Sequence, residues 1–468
     1  MTEKYHVPVK ITPPRFKPIG KYSIIEFRED CAGSCKQCVK KKCVYNNFSA
    51  NREHISAMKE PEYLYTCSGC FRCVQECTKG IFSRVINPEY KALGDDYWRA
   101  DIIIRLWYQA HTGNIPVSGS GYGGPFTGEG FDSVWTDMSE IVRPTRDGIH
   151  GREYINTCFE LSERFKGLGF KDDMTLVKKP RKILEVPIPL LLTLPKNLII
   201  NKHIILAVAK AAFLLKTFFL INCKDYTPNL FEYKDNLIPC FKTEELSAYK
   251  NLILASKAIL IEYSNTEDII NAVAGVRSFA SDKAVIIKAP LNKNADKIAS
   301  ELADKDVDTI YFYADDQGKE LNGKNSIFLK DSINRIHNRL VSELTRQNIN
   351  LIFSGGIAMA EHVAKAIIFG ADAVAADIPI MLAMECRLCK ECAKEGGCPV
   401  KLDEEFDADN GASRIANLFA SWHGQLLEVM GAMGIREARR LRGEIGRSIR
   451  FEKLEKDIFE PIFKRRSV

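Results

Sequence analysis

The 468-residue sequence lacks the features that mark membrane, secreted and nucleic-acid-binding proteins. Its most apolar region, residues 190–221, is interrupted by Pro195 and several lysines, so no run of about 18 uncharged apolar residues predicts a membrane span. The N-terminus has no apolar core before a small-residue cleavage site, which argues against a secretory signal. The net charge of +6 is too small for a concentrated basic surface. We therefore expect a cytoplasmic protein without a transmembrane segment or a nucleic-acid partner.

Cysteine is what the sequence has in excess, and most of its 15 cysteines fall in three short packets. The first packet, from residue 31, has the spacing C-x3-C-x2-C-x4-C, and the second, from residue 67, has C-x2-C-x2-C-x3-C. The third packet, from residue 386, has C-x2-C-x2-C-x5-C followed by proline. Where thiols are kept reduced, grouped cysteines indicate metal or cluster ligation.

The first and second packets resemble the spacing of two-cluster bacterial ferredoxins, in which the fourth cysteine of a packet ligates the neighbouring cluster. We therefore predict two 4Fe–4S clusters, one on Cys31, Cys35, Cys38 and Cys77, the other on Cys67, Cys70, Cys73 and Cys43. The third packet predicts either a 4Fe–4S cluster on Cys386, Cys389, Cys392 and Cys398 or a 3Fe–4S cluster on Cys386, Cys392 and Cys398. Structural zinc stays an alternative, because zinc also takes four thiolates.

From about residue 183, continuous apolar strands alternate with amphipathic helical segments, which is typical of parallel β/α units. The pattern fits a (β/α)8 TIM-type barrel or an open doubly wound sheet. About seven strands are recognisable, few for a complete barrel. Gly355 and Gly356 fall between a strand and a helix N-terminus, where backbone N–H groups bind phosphate.

Composition divides the chain into five predicted segments. They are a dicluster ferredoxin-like module (1–98), a glycine-rich connecting segment (99–180), the β/α barrel (181–385), a third iron–sulfur loop (386–403) and a C-terminal helical region (404–468). The arginines of the last segment are predicted to form a solvated face: Arg436, Arg439, Arg440 and Arg442. The three cysteines outside the packets, which stand in apolar surroundings, are predicted to be buried thiols: Cys158, Cys223 and Cys240.

Two dense blocks of the sequence resemble the glutamate synthase large-subunit family. "SGGIAMAEHVAKAIIFGADAVAAD", followed by the third packet, is similar to its flavin-binding synthase domain, and residues 112–155 are similar to the pre-barrel segment of its ferredoxin-fused, single-chain branch. "AVIIKAP" resembles a strand that carries a lysine near the flavin, here Lys288. The resemblance implies a barrel that binds FMN through Lys288, Gly355 and Gly356, with an iron–sulfur cluster directly after it.

The sequence departs from that family in five loops at the expected barrel mouth. They read "TLPKN", "CKDYTPN", "YSNTED", "DDQGKELNGK" and "AADIP". Because barrel chemistry lies at the C-terminal face of the strands, these changes predict a shortened or degenerate barrel, and no catalytic residue is assigned. We also expect no glutaminase half like that of the family, since Thr2 follows Met1 and offers no N-terminal cysteine nucleophile.

Together these features predict an oxidoreductase component: an iron–sulfur subunit, with FMN as a further candidate cofactor, that passes electrons through three clusters in a larger redox complex. No nicotinamide fingerprint is present, so an NAD(P)H-oxidising flavoprotein is a candidate partner subunit. Two alternatives stay open. One is glutamate synthesis from 2-oxoglutarate and ammonia, and the other is a zinc-bound, non-redox assembly scaffold.

Overall fold

The computed structural model describes residues 5–16, 19–26, 43, 70–115, 130–136, 154–162, 170–175, 183–198, 200–323, 326–389, 392, 397–404, 406–450 and 461. The chain forms two compact units. The larger comprises Met1–Thr12, Tyr108–Met384 and Lys401–Val468, and the smaller comprises Pro13–Trp107 and Glu385–Val400. The third packet is thus grouped with the part of the chain that contains the first two packets. In the described ranges, no helix is both long and apolar enough to cross a membrane.

The smaller unit is built around an antiparallel pair of strands, β1 (Tyr22–Glu26) and β2 (Phe82–Ile86). The short helix α1 (Arg72–Glu76) precedes β2, and α2 (Pro88–Lys91) follows it. Asn87 caps α2 by accepting a hydrogen bond from the Glu89 N–H, and Pro88 supplies a preset helical φ at the first position.

The chain then passes through α3 (Ala100–Thr112), within which the boundary between the two units falls, and three short strands before the barrel. The strands are β3 (Val134–Thr136), β4 (Phe159–Glu160) and β5 (Glu185–Val186). β4 and β5 pair antiparallel, and Phe159 and Val186 pack into the barrel core. Thr309, the first residue of a barrel strand, donates to the Leu161 carbonyl at 2.7 Å, so this hairpin covers the amino-terminal end of the barrel.

Eight parallel strands form a closed barrel, which confirms the predicted TIM-type barrel and excludes the open sheet. They are β6 (Leu190–Leu192), β7 (Phe219–Asn222), β8 (Leu237–Phe241), β9 (Ala258–Glu262), β10 (Ala284–Pro290), β11 (Thr309–Tyr313), β12 (Asn350–Ser354) and β13 (Ala373–Ala376). β13 pairs with β6 and closes the ring. β6 has only three residues, but all eight strands of a complete barrel are present.

The count of about seven strands was wrong because β8 escaped recognition. It reads "LIPCF", only five residues, and the proline within it argues against a central strand. In the structure Pro239 lies opposite Ile221 of β7, and all five side chains of β8 are buried. Burial on both faces overrides the local preference of proline.

Helices connect most of the barrel strands. They are α4 (Lys202–Leu214), α5 (Lys250–Ala255), α6 (Thr266–Phe279), α7 (Ala295–Leu302), α8 (Leu329–Ser342) and α9 (Ala360–Phe369), with a 3-10 segment (Pro228–Asn236) between β7 and β8. A further helix, α10 (Ile378–Ala383), follows β13. Asn201 caps α4 and Asn265 caps α6, each by accepting backbone N–H bonds. The C-terminal region contains the 26-residue α11 (Ala408–Met433) and also a strand, β14 (Ser448–Arg450), which pairs with β3.

A buried charge network joins the C-terminal region to the amino ends of β12 and β13. Asp372 accepts a hydrogen bond from Arg346 Nη2 at 2.8 Å and a second from Arg442 Nη1. Arg346 also donates through Nε to His337 Nδ1 at 3.1 Å. The assignment of Arg442 to a solvated face was therefore wrong: its side chain is only 15% exposed and completes this network.

We expect the protein to lose stability as pH falls from about 6.5 toward about 4, because two histidines are held neutral. Burial lowers the pKa of His337 to about 4, helped by Arg346 and Arg442. Burial, with a smaller effect from His6, lowers the pKa of His423 to about 4 as well. A depressed folded-state pKa gives stability that is complete above the unfolded value near 6.5 and is lost below it, at about 1.4 kcal/mol per pKa unit.

The measurement is urea unfolding at several pH values between 7 and 4. The double variant His337→Gln/His423→Gln should flatten the acid side of the stability profile. An unchanged slope in this variant would assign the acid loss to other groups.

Candidate functional site

The barrel interior changes from apolar to polar near the carboxyl ends of its strands. Inward-facing positions in the middle of the strands are core residues: Leu220, Ile238, Leu260, Ile286 and Ile352. Two residues further along each strand, the next inward-facing positions are polar or thiol-bearing: Asn222, Cys240, Glu262, Lys288 and Ser354. Because alternate residues of a strand share a face, these five side chains form one layer at the barrel mouth.

Lys288 and Glu262 are the charged pair of this layer. Lys288 Nζ lies 3.3 Å from Glu262 Oε1, and the Cys240 thiol lies 3.8 Å from the same oxygen. Burial raises the pKa of Cys240 to about 12, so this thiol is neutral at pH 7. Burial alone would lower the pKa of Lys288, but Cys240, Tyr311 and Glu262 outweigh it and raise that pKa. Since Cys240 and Tyr311 are neutral at pH 7, Glu262 is the partner that keeps Lys288 charged.

Tyr311 and Asp377 add two further hydrogen-bonding groups. Tyr311 Oη lies 2.7 Å from Ser354 Oγ, and burial raises the pKa of Tyr311 to about 12. Asp377 caps α10 by accepting from the Ile378 N–H at 2.6 Å. Burial, with a contribution from Asp316, raises the pKa of Asp377 to about 7, so this carboxyl exchanges a proton near neutral pH. The sequence did not single out either residue.

The loop after β6, "TLPKN", reaches across the mouth. Lys196 Nζ lies 4.0 Å from the centre of the Tyr313 ring, and Asn197 Nδ2 lies 3.2 Å from Asp316 Oδ2. Tyr313 ends β11, and two further strands, β12 and β13, separate β11 from β6 in the barrel. The altered loop therefore passes over the side of the mouth where β12 and β13 end.

Gly355 and Gly356 have positive φ values of 98° and 66°, which favour glycine. A Cβ on Gly356 would lie 2.6 Å from the Gly318 backbone, and one on Gly355 would lie 2.5 Å from the Asp315 carbonyl oxygen. Their backbone conformation fits a phosphate-binding turn. Close packing against the loop after β11 is, however, sufficient reason for both glycines.

The start of α9 is shaped by His362. Its Nδ1 accepts a hydrogen bond from the Ala358 N–H at 3.1 Å, so Nε2 carries the proton and lies 3.2 Å from Asp132 Oδ1. One backbone N–H at this helix entry is thus already used by the protein. A phosphate here would depend on the remaining backbone donors of the turn.

Replacing Gly356 by alanine should destabilise the protein by on the order of 2–4 kcal/mol, the sum of a left-handed backbone cost and overpacking. The matched control is Gly275→Ala in α6, where an added Cβ meets nothing within 4 Å and should stabilise by about 0.5–1 kcal/mol. Chemical denaturation of the two variants measures the difference. Equal stabilities would contradict the close packing of the loop after β11.

The second packet lies at the start of α1. Cys70 is exposed, Cys73 is buried in the helix and Cys77 follows it. Between the first two, Phe71 has a left-handed backbone with φ 55°. The Arg84 guanidinium of β2 lies 4.7 Å from the Phe71 ring centre, which fixes this turn on the strand pair. A strained non-glycine residue between two predicted ligands is consistent with a shaped binding loop.

The third packet shows similar strain. Cys386 and Cys398 are buried, and Cys389 and Cys392 are half-buried. Leu388, with φ 48°, donates its N–H to Cys386 Sγ at 3.5 Å. Burial raises the pKa of Cys386 to about 12, and the Cys392, Cys398 and Cys389 thiols act in the same direction. Four thiols with an N–H···S bond are a donor set that fits an iron–sulfur cluster.

The cluster assignments themselves stay predictions. Four of the predicted ligands lie outside the described residues: Cys31, Cys35, Cys38 and Cys67. Within the described ranges, no group of three His, Cys, Asp or Glu side chains is arranged to hold a single metal ion. A cluster places iron and sulfide between its thiolates, so its ligands lie farther apart than those of one ion.

Of the cysteines outside the packets, Cys223 and Cys240 are buried as predicted, and Cys158 is half-buried. Cys240 belongs to the polar layer at the mouth, which was not foreseen. Alternation could have revealed that layer, because a polar residue two positions after an apolar one occurs near the end of several strands. Because β8 was not recognised as a strand, the place of Cys240 in this pattern was not visible.

A closed parallel barrel with a polar layer at its strand carboxyl ends defines the class of (β/α)8-barrel proteins with a site at that face. Residues 250–436 match a family model described as the conserved region in glutamate synthase. This match supports the resemblance to the glutamate synthase family that the sequence indicates.

Relatives cover most of the chain. An archaeal-type glutamate synthase (NADPH) of Thermotoga sp. (strain RQ2) is 24% identical over 473 residues, covering 87% of this chain and 90% of the relative. An archaeal glutamate synthase (NADPH) of Methanocaldococcus jannaschii is 25% identical over 473 residues, covering 81% of this chain and 92% of the relative. A solved mandelate oxidase has a TM-score of 0.40 at 15% identity, covering 61% of this chain and 87% of its own, a likeness too low to carry an inference.

Proposed function

We propose that this chain is an iron–sulfur oxidoreductase subunit that passes electrons through three clusters to or from the barrel mouth. The observation that carries the proposal is the third packet, where four thiols within thirteen residues, two of them buried, are accompanied by an N–H···S bond from Leu388. The second packet supports it with the same kind of strained turn. The reducing conditions that grouped thiols require favour a cytoplasmic location.

FMN is the cofactor that we propose for the barrel mouth. Lys288 and the Gly355–Gly356 turn would hold it, and it would exchange electrons between the clusters and a substrate. Lys288 offers a positive charge that Glu262 keeps in place at 3.3 Å. Tyr311 and Asp377 contribute groups that hold a proton near pH 7. The loop after β6 narrows access to this part of the mouth.

A partner subunit completes the proposed function. The sequence contains no nicotinamide fingerprint, so a flavoprotein that oxidises NAD(P)H is the class of partner expected to supply electrons. Because NAD(P)H would be oxidised on another polypeptide, this chain would act within a larger redox complex.

The test is anaerobic purification of the full chain from its own cells, with quantification of iron, sulfide, zinc and flavin and identification of co-purifying subunits. The proposal predicts iron and sulfide in amounts close to those of three clusters per chain, bound flavin, and a co-purifying redox partner. Colourless protein that contains zinc would overturn it and favour the scaffold. Protein that contains iron but no flavin would overturn only the assignment of FMN.

Glutamate synthesis from 2-oxoglutarate and ammonia is the second candidate. It is favoured by relatives described as glutamate synthases that match this chain over 90% of their own length. The altered loop after β6, which crosses the mouth, weighs against it. Glutamate formation by the purified protein with a reduced low-potential donor would establish it, and its absence in flavin-loaded protein would exclude it.

A further inference from the structure

Arg15 forms hydrogen bonds with residues at both ends of the third packet. Its backbone N–H donates to Glu385 Oε1 at 2.8 Å, and its Nε donates to Glu385 Oε2 at 2.9 Å. Its Nη2 also donates to the Val400 carbonyl at 3.3 Å. Glu385 directly precedes Cys386, and Val400 follows Cys398 by two residues. One side chain therefore closes the loop that carries all four thiols.

These contacts hold Glu385 in an unfavourable backbone conformation with its side chain buried. Its backbone is left-handed, with φ 72°, a conformation that is unfavourable for a non-glycine residue. Its side chain is only 6% exposed, so its carboxylate depends on hydrogen bonds to the protein. Such strain persists where neighbouring groups fix it, and it concentrates at functional sites.

A second contact anchors the same loop. The Gly94 N–H donates to the Arg387 carbonyl at 3.1 Å, inside the third packet. Gly94 has φ 67°, and a Cβ there would lie 1.8 Å from the Trp98 carbonyl oxygen, so only glycine fits. The packet is thus fastened to residues of the Pro13–Trp107 segment at both its start and its end.

We propose that the Arg15–Glu385 ion pair positions the third packet and sets the reduction potential of the cluster that it holds. This inference rests on the proposed function, because it presumes a cluster there. The potential of an iron–sulfur cluster depends on the charges around it. The pair is partly buried and lies next to Cys386, so solvent screens it only in part, and removing either charge changes the net charge beside the cluster.

The two charges act in opposite directions on a one-electron reduction. Reduction adds one negative charge to the cluster and neither breaks nor forms a bond to the protein. Without Arg15, the Glu385 carboxylate opposes that charge and lowers the potential. Without the carboxylate, the Arg15 guanidinium favours reduction and raises the potential.

The experiment is an anaerobic redox titration of the whole protein with dithionite, followed by electron paramagnetic resonance. The variants are Arg15→Gln, Glu385→Gln and the double variant. We expect a lower potential of the third cluster in Arg15→Gln, a higher one in Glu385→Gln and a value near wild type in the double variant. The control is Arg72→Gln, which breaks an exposed pair with Glu76 beside the second packet and should leave the third cluster unshifted.

The outcomes separate this inference from the proposed function. Wild-type protein without a third-cluster signal would overturn both. A third-cluster signal that does not shift, or shifts in the same direction in both single variants, would overturn the inference alone. Loss of third-cluster iron in Arg15→Gln, restored by Arg15→Lys, would support positioning. The same loss in Arg72→Gln would contradict it.

Discussion

Replacing Cys386 and Cys398 together by serine is expected to remove about one third of the bound iron and leave the other two clusters intact. Both thiols are buried and stand at the two ends of the packet, so the double variant removes two of its four predicted ligands. The N-terminal clusters use separate ligands and should keep their spectra. Iron and sulfide quantification, with low-temperature electron paramagnetic resonance, measures the change.

The matched control is Cys158→Ser, a half-buried cysteine outside the packets, which should retain all iron. Cys389→Ser then distinguishes the two forms of the third cluster. A four-iron cluster needs this thiol, whereas a three-iron cluster on Cys386, Cys392 and Cys398 does not. Full retention of iron in the double serine variant would remove the third cluster from the proposed function.

Replacing Asp372 by alanine is expected to destabilise the barrel unit by about 3–5 kcal/mol, the range for a buried ion pair that loses one partner. Asp372 accepts from Arg346 at 2.8 Å, from Arg442, and from the Leu351 N–H at 2.8 Å. Its removal leaves two guanidinium groups and one buried N–H without this acceptor. The free energy of unfolding from chemical denaturation measures the loss.

The control is Glu343→Gln, which breaks a pair with Arg339 on the exposed surface of α8. Surface pairs contribute about 0–1 kcal/mol, so this variant should stay near wild type. A comparable loss in both variants would mean that the Asp372 network contributes no more than a surface pair.

Periodicity predicted the barrel well because strands buried on both faces leave continuous apolar runs. α4 and α6 were recognised from their apolar spacing, and the structure begins each directly after an asparagine cap. The eighth strand was missed because five residues with a proline give no strand signal by themselves. The segment becomes a strand because it pairs with its two neighbours, β7 and β9.

Some residues of the candidate site were also predicted from the sequence, whereas others became apparent only in the structure. Lys288, Gly355 and Gly356 came from the resemblance, and the structure places them at the strand ends or turns of the mouth. Tyr311 and Asp377 could not be foreseen, because their pKa values depend on burial by distant parts of the chain. The pairing of Glu262 with Lys288 needs two neighbouring strands in register.

By itself the sequence predicted cluster chemistry from the spacing of its thiols and determined the alternating β/α pattern, because both need only short stretches of chain to be visible. The tertiary structure alone decided that the barrel closes with eight strands, that Arg442 is buried against Asp372, and that Arg15 closes the third packet from 370 residues away. The physical reason is distance along the chain. Spacing and periodicity describe neighbours in sequence, whereas closure, burial and ion pairing depend on which remote segments the fold brings together.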